Sequence, residues 1–238
     1  MLDWDGTLRE GFVIFDWLKF LVRTGVVPIR HETKMLTSLN QFQQKKSSYE
    51  SMAWDVVNTY AEAMQGLHPA NLSNLVHEFW STNARLNDFA IPLIETIREL
   101  GISPVLVSGA PMVVVEHIAE RIDIDDCFGL ELGFDSNGSY DGSVAMNLAI
   151  SSSKQIIVDR LMKQGKKVAL SFGDTISDVP IFKAAQLSYV ITKSETEEEV
   201  KKDLSNMTNS ECCTFVPQSD VREMLGGLRV TWINKLEL

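Results

Sequence analysis

Apolar residues recur at helical spacing over the first third of the chain and at strand spacing over the remainder. Phe12, Phe15, Leu18, Phe20 and Leu21 form one such stripe, Met52, Val56, Tyr60 and Met64 a second, and Leu72, Leu75, Val76, Phe79 and Trp80 a third. Recurrence every three to four residues predicts helices with one apolar face. Pro28 and Pro69 punctuate this zone, and Pro69 or Asn71 opens its last helix. No β-rich run interrupts residues 10–87, so this zone reads as a helical insertion. Beyond it, short apolar runs at 104–107, 130–134, 168–172 and 188–191 read as strands. Helices are predicted between them at about 91–100, 112–121, 154–163 and 181–185. Asn137-Gly138, between two extended pieces, signals a hairpin.

Strands that alternate with helices imply an α/β fold, a parallel sheet with helices on both faces. The predicted organisation is a core of residues 1–9 and 88–238 with residues 10–87 inserted. Ligands of such sheets sit beyond the carboxyl ends of the strands. Composition changes this picture little: 238 residues, 45% hydrophobic and 23% charged, describe an ordinary soluble protein. Charge changes it more. A net charge of -10 argues against a nucleic-acid partner, whose phosphates call for a basic face. The pairs Lys45-Lys46, Lys166-Lys167 and Lys201-Lys202, and the charged run 195–202, read as solvated surface. Cys127, Cys212 and Cys213 make no disulfide framework and point to a reducing compartment. The apolar stretch 11–28 contains Asp16, Lys19 and Arg23, too charged for a membrane span and too far in for a signal peptide. The expectation is a cytoplasmic protein with no membrane partner; oligomeric state is not legible.

Four places hold reactive residue types, each where a strand ends. In Asp3-Trp4-Asp5-Gly6-Thr7, residues two apart face the same way, so Asp3 and Asp5 share a site while Trp4 turns toward the core. Two carboxylates this close favour a bound cation or one protonated partner. One carboxylate can attack phosphorus, and the other can move the proton of the leaving alcohol. The same residues also suit an Asx turn. Ser108-Gly109 follows an apolar strand and could offer a hydroxyl and amides to phosphate oxygens, or simply cap a helix. Lys154 could balance carboxylate and phosphate charge, or lie on the surface of a first helical turn. Gly173-Asp174 ends an apolar strand, with Asp178 four residues on, a pair suited to Mg²⁺ or to a turn and a helix N-cap.

Taken in order, Asp-x-Asp-Gly-Thr, Ser-Gly, Lys and Gly-Asp-x-x-x-Asp resemble the four-motif signature of the haloacid dehalogenase superfamily. The Val-Ser-Gly of the second motif and the Asn-Gly hairpin resemble its phosphoserine phosphatase branch. The resemblance implies a Rossmann-like core, with the insertion as a helical cap. It further implies Asp3 as nucleophile, Asp5 as general acid and base, and Thr7, Ser108, Gly109 and Lys154 as ligands of the phosphoryl group. Asp3, Asp5 through its carbonyl, and Asp174 would hold Mg²⁺, supported by Asp178. The implied activity is hydrolysis of a small phosphorylated metabolite through an aspartyl-phosphate.

Two features depart from that pattern. Two apolar residues precede Asp3, where relatives have four or five, as in a trimmed or misassigned start or a short central strand. Phe12 stands where phosphoserine phosphatases carry a Glu nine positions after the nucleophile, with Glu10 two positions earlier. Phe12, Val13, Phe15 and Trp17 therefore suggest a less polar or aromatic leaving group, or else simply the core of the cap. The rival readings are a phosphotransferase of the same superfamily and a non-catalytic domain of a longer polypeptide. Asp5 argues against a dehalogenase, which needs no leaving-group proton.

Overall fold

The computed structural model describes residues 1–193 and 213–236; Cys212 and the run 195–202 lie outside them. Four helices open the chain: α1 Val13–Arg23, α2 Ile29–Gln43, α3 Tyr49–Met64 and α4 Ser73–Asn83. A 3₁₀ turn, Pro69–Leu72, leads into α4, with His68 Nδ1 accepting from the Ala70 amide. Next come α5 Ala90–Glu99, β1 Val105–Pro111, α6 Met112–Arg121, β2 Asp126–Phe134 and β3 Tyr140–Met146. The chain continues through α7 Ser151–Lys163, β4 Leu170–Gly173, α8 Val179–Ala184 and β5 Leu187–Thr192. It closes with β6 Cys213–Pro217 and α9 Val221–Leu236, two elements not foreseen from the sequence.

The short opening segment is the centre of the sheet. Leu2 bridges in parallel to Leu106 on one side and Phe172 on the other. Its amide donates to the Val105 carbonyl at 2.8 Å, and the Asp3 amide donates to Phe172 at 2.9 Å. Met1–Asp3 thus join β2-β1 to β4-β5-β6, all parallel, while β3 runs antiparallel on the outer side of β2. The length of a strand matters less here than its two neighbours, which satisfy the backbone on both edges.

Side chains alternate across this sheet. Leu2, Leu106 and Ile191 join one buried cluster with α5, α6 and α9. Met1, Val105, Val107 and Val190 join the other, with α7 and α8. This period of two places helices on both faces and leaves Asp3 at the carboxyl end of the central strand. The β2–β3 turn follows from Asp135, whose Oδ1 accepts from the amides of Asn137 and Ser139 at 2.8 and 3.0 Å while Gly138 takes φ +78°.

Residues 13–83 contain helices and no strand. Their interior is aromatic: Trp17 packs on Phe20 and Phe79 at ring separations of 5.6 and 5.3 Å, and its Nε1 donates to the Tyr60 hydroxyl at 3.1 Å. Each such ring pair contributes about 0.5–1.5 kcal/mol beyond its area. Two crossings tie this segment to the sheet, where Arg9 bridges Leu86 and the Glu10 amide donates to the Arg85 carbonyl. Among the described residues no helix is long and apolar enough to cross a membrane.

Candidate active site

Past Asp3 the chain turns sharply. Gly6 takes φ +86°, and a Cβ there would collide with the Asp174 carboxylate. Glycine therefore serves both the turn and the close approach of the fourth motif. Trp4 is fully buried and packs against Trp80, as the alternation of Asp3, Trp4 and Asp5 requires. The Thr7 hydroxyl lies 3.2 Å from Asp3 Oδ2 and 3.5 Å from Asp174 Oδ1. The Thr7 carbonyl accepts from Asn87 Nδ2 at 2.7 Å.

Lys154 lies in the second turn of α7, which begins at Ser151, earlier than the sequence suggested. It is 1% exposed. Its Nζ donates to Asp3 Oδ1 at 2.8 Å and to Asp178 Oδ1 at 2.5 Å. The surface alternative for this lysine is thereby removed. Asp178, fully buried, uses its second oxygen to accept from the amides of Asp174 and Thr175 and from the Thr175 hydroxyl, at 3.0–3.2 Å. It is both a turn cap and the partner of Lys154. One oxygen each of Asp3, Asp174 and Asp178 lies within 4.8 Å of the others.

This cluster sets three carboxylates against one ammonium. Burial pushes the Asp3 carboxyl up, against the pull of Lys154. Asp174 is held well above the ordinary carboxylate range by burial, then by Asp3 and Asp178. For Lys154, burial acts to lower the pKa, but Asp178 and Asp3 outweigh it and the ammonium is reinforced. Hard oxygen donors in negative excess are the donor set that Mg²⁺ takes, so the residues present fit that ion.

Asp5 faces α1. Its Oδ1 accepts from the Val13 amide at 3.0 Å, at the positive end of that helix, and lies 3.8 Å from Arg9 Nη1. Burial pushes its carboxyl up to about 7, against the opposing pull of Arg9 and the Val13 amide. Arg9 is itself buried; its Nη2 reaches Asp16 at 2.5 Å and the Asn83 carbonyl at 3.2 Å. Nothing in the sequence distinguished this arginine from a surface one.

Ser108, Gly109 and Ala110 form an irregularity inside β1, not a turn after it. The Ser108 hydroxyl is buried and accepts from the Ala110 amide at 3.0 Å. A cavity of about 210 Å³ opens above the carboxylates, with Asp3, Asp5, Gly109 and Lys154 in its lining. Thr7, Ser108, Asp174 and Asp178 are not in that lining. Phe12 and Phe15 are, whereas Val13 and Trp17 belong to the helical core and Glu10 is an exposed residue away from the cavity. The four-residue neighbourhood thus divides between the two readings. The sequence did not single out Phe42 and Tyr49, and it assigned Met52 and Val56 to a helical stripe; all four line the cavity. Periodicity alone does not separate a cavity wall from a packed core.

The model of the haloacid dehalogenase-like hydrolase family matches residues 1–183, and the chain belongs to that family. No curated protein matches it. Solved structures give the same fold at low identity. A phospho-aspartyl intermediate analogue of phosphoserine phosphatase superposes with a TM-score of 0.63 at 18% identity, covering 94% of this chain and 95% of that one. A protein of unknown function from Bordetella pertussis Tohama I gives 0.71 at 16% identity, covering 91% and 96%. Cytosolic 5'-nucleotidase IIIB bound to cytidine gives 0.65 at 13% identity, covering 99% and 86%.

Proposed function

We propose that this hydrolase is a Mg²⁺-dependent phosphatase that cleaves a small phosphomonoester through an aspartyl-phosphate on Asp3. The observation that carries the reading is the Lys154 ammonium, buried between Asp3 and Asp178 beside the Asp174 carboxylate. The segment 10–87 then acts as a cap over a core of 1–9 and 88–238. Asp3, Asp174 and the Asp5 carbonyl, with Asp178 in support, would hold Mg²⁺, which would neutralise charge on the phosphoryl oxygens.

Asp3 attacks phosphorus, and the bond from phosphorus to the leaving oxygen breaks. Asp5 gives its proton to that oxygen, then takes one from the water that attacks the aspartyl-phosphate. A carboxyl shifted to about 7 is suited to both transfers near neutral pH. Lys154 favours the ionised form of Asp3 against the effect of burial and offsets the approaching phosphoryl charge. Thr7 orients the Asp3 carboxylate, while Gly109, at the cavity wall, and the neighbouring Ser108 flank the phosphoryl position. Closure of the cap excludes bulk water during the transfer to Asp3.

The test is phosphate release from p-nitrophenyl phosphate with and without Mg²⁺, using Asp3→Asn as the control. The reading expects metal-dependent release that the substitution abolishes. Full activity in Asp3→Asn would sink it, and transfer to an added alcohol without free phosphate would favour a phosphotransferase.

A further inference from the structure

The cavity has a charged floor and an uncharged wall. Above Asp3, Asp5 and Lys154, its lining among the described residues contains no acidic, basic or histidine side chain. The polar side chains there are Gln43, Tyr49, Thr175 and Ser177. Arg9 is engaged with Asp16 and does not line the space, and Glu10 lies outside it. The wall is built from Phe12, Phe15, Phe42, Met52, Val56 and Val57. Two aromatic pairs stand edge to face in it, Phe12 on Phe15 at 6.2 Å and Phe42 on Tyr49 at 5.9 Å. Burial pushes the Tyr49 phenol up to about 12, so it serves as a neutral donor.

We propose that the substrate is the phosphate monoester of an uncharged, largely apolar alcohol whose organic part is about the size of one ring. The proposal rests on the phosphatase reading above and specifies its substrate class. A free amino acid would bring an ammonium and a carboxylate into a space with no counter-charge on its wall, and buried charge without a partner is strongly disfavoured. A sugar would set its hydroxyls against a mostly apolar wall whose Thr175 and Ser177 hydroxyls are already hydrogen-bonded to each other. Size points the same way: an apolar cavity of about 150 Å³ accepts benzene. The 210 Å³ here therefore takes a ring beside the phosphoryl position, and a nucleoside would extend beyond it. An aromatic wall favours a flat ring through edge and face contacts.

The experiment compares kcat/KM of the Mg²⁺-loaded full chain for benzyl phosphate, O-phospho-L-serine and a nucleoside 5'-monophosphate. All three have alkyl leaving oxygens, so leaving-group acidity does not dominate the ranking. The expected result is a preference of at least about 100-fold for benzyl phosphate, equivalent to the loss of one or two unpaired buried polar groups. Phe12→Glu, at a rim position 47% exposed, puts a carboxylate on the wall and should reduce that preference at least about tenfold. If p-nitrophenyl phosphate is hydrolysed but O-phosphoserine or the nucleotide comes within tenfold of benzyl phosphate, the substrate class falls and the phosphatase reading stands. If no phosphomonoester is hydrolysed, p-nitrophenyl phosphate included, the phosphatase reading falls and the substrate class with it.

Discussion

Replacing Lys154 by methionine removes one charge and little volume. Two buried carboxylates then face each other without their shared cation, Asp3 retaining Thr7 and Asp178 retaining the Thr175 turn. Breaking a buried ion pair by deleting one partner costs about 3–5 kcal/mol. For a chain of this size that corresponds to a melting temperature lower by roughly 6–20 °C. The loss should depend on pH. The Asp3 carboxyl, shifted from 3.8 to about 7 even with Lys154 present, is harder still to ionise without it. A carboxyl whose folded pKa is raised leaves the fold most stable below the unfolded value and weakens it as pH rises toward the folded value. The gap between the native protein and Lys154→Met should therefore widen from pH 5 to pH 8 in metal-free thermal melts. Lys154→Met/Asp178→Asn, which removes one of the two opposed charges, should recover part of it. A Lys154→Met protein within 2 °C of the native one at pH 8, which corresponds to under about 1 kcal/mol, would refute the buried-cation assignment.

Other substitutions probe the same cluster from different sides. Asp174→Asn removes a carboxyl held well above its ordinary pKa, so the metal-free protein should melt higher at pH 8 while the stabilisation by added Mg²⁺ disappears, as followed by calorimetry. Gly6→Ala forces a Cβ into the Asp174 carboxylate at φ +86°, and should cost at least about 1 kcal/mol in urea unfolding together with most Mg²⁺-dependent activity. Asp5→Asn should slow hydrolysis of alkyl phosphates by about 10²–10⁴-fold, while p-nitrophenyl phosphate should keep a first-turnover burst of p-nitrophenol followed by slow turnover, because that leaving group needs no proton but the hydrolytic water still needs the base. Arg9→Met leaves Asp16 without its closest cation and strips Asp5 of a neighbour, so a thermal melt should show a loss of roughly 3–5 kcal/mol.

Much of this site was legible because its residues follow local rules. Asp3 and Asp5 share an orientation through strand alternation, Gly6 reads as a turn, and Gly173-Asp174 ends an apolar run. Lys154 was ambiguous because its burial is decided by Asp3 and Asp178, 151 and 24 positions away. The segment before Asp3 looked too short for a strand, since its ladder partners, Val105 to Val107 and Phe172, are distant in sequence. Ser108 read as part of a turn because a bulge and a turn share the same glycine signature, and only the register with β2 tells them apart. Met52, Val56 and Tyr60 obey one helical period and share one buried cluster, yet only Met52 and Val56 also line the cavity. What a helix packs against is a tertiary fact. Arg9 is hidden for the same reason: its partners Asp16 and Asn83 meet only when α1 and α4 pack.

The most direct measurement is chemical trapping of the covalent intermediate. The Mg²⁺-loaded protein is mixed with a phosphomonoester, quenched in acid within the first turnover, and peptide-mapped by mass spectrometry. The account predicts one phosphoryl group on the peptide containing Asp3, labile to hydroxylamine and absent in Asp3→Asn. Turnover with the phosphoryl group on a different residue, or burst kinetics retained in Asp3→Asn, would contradict it.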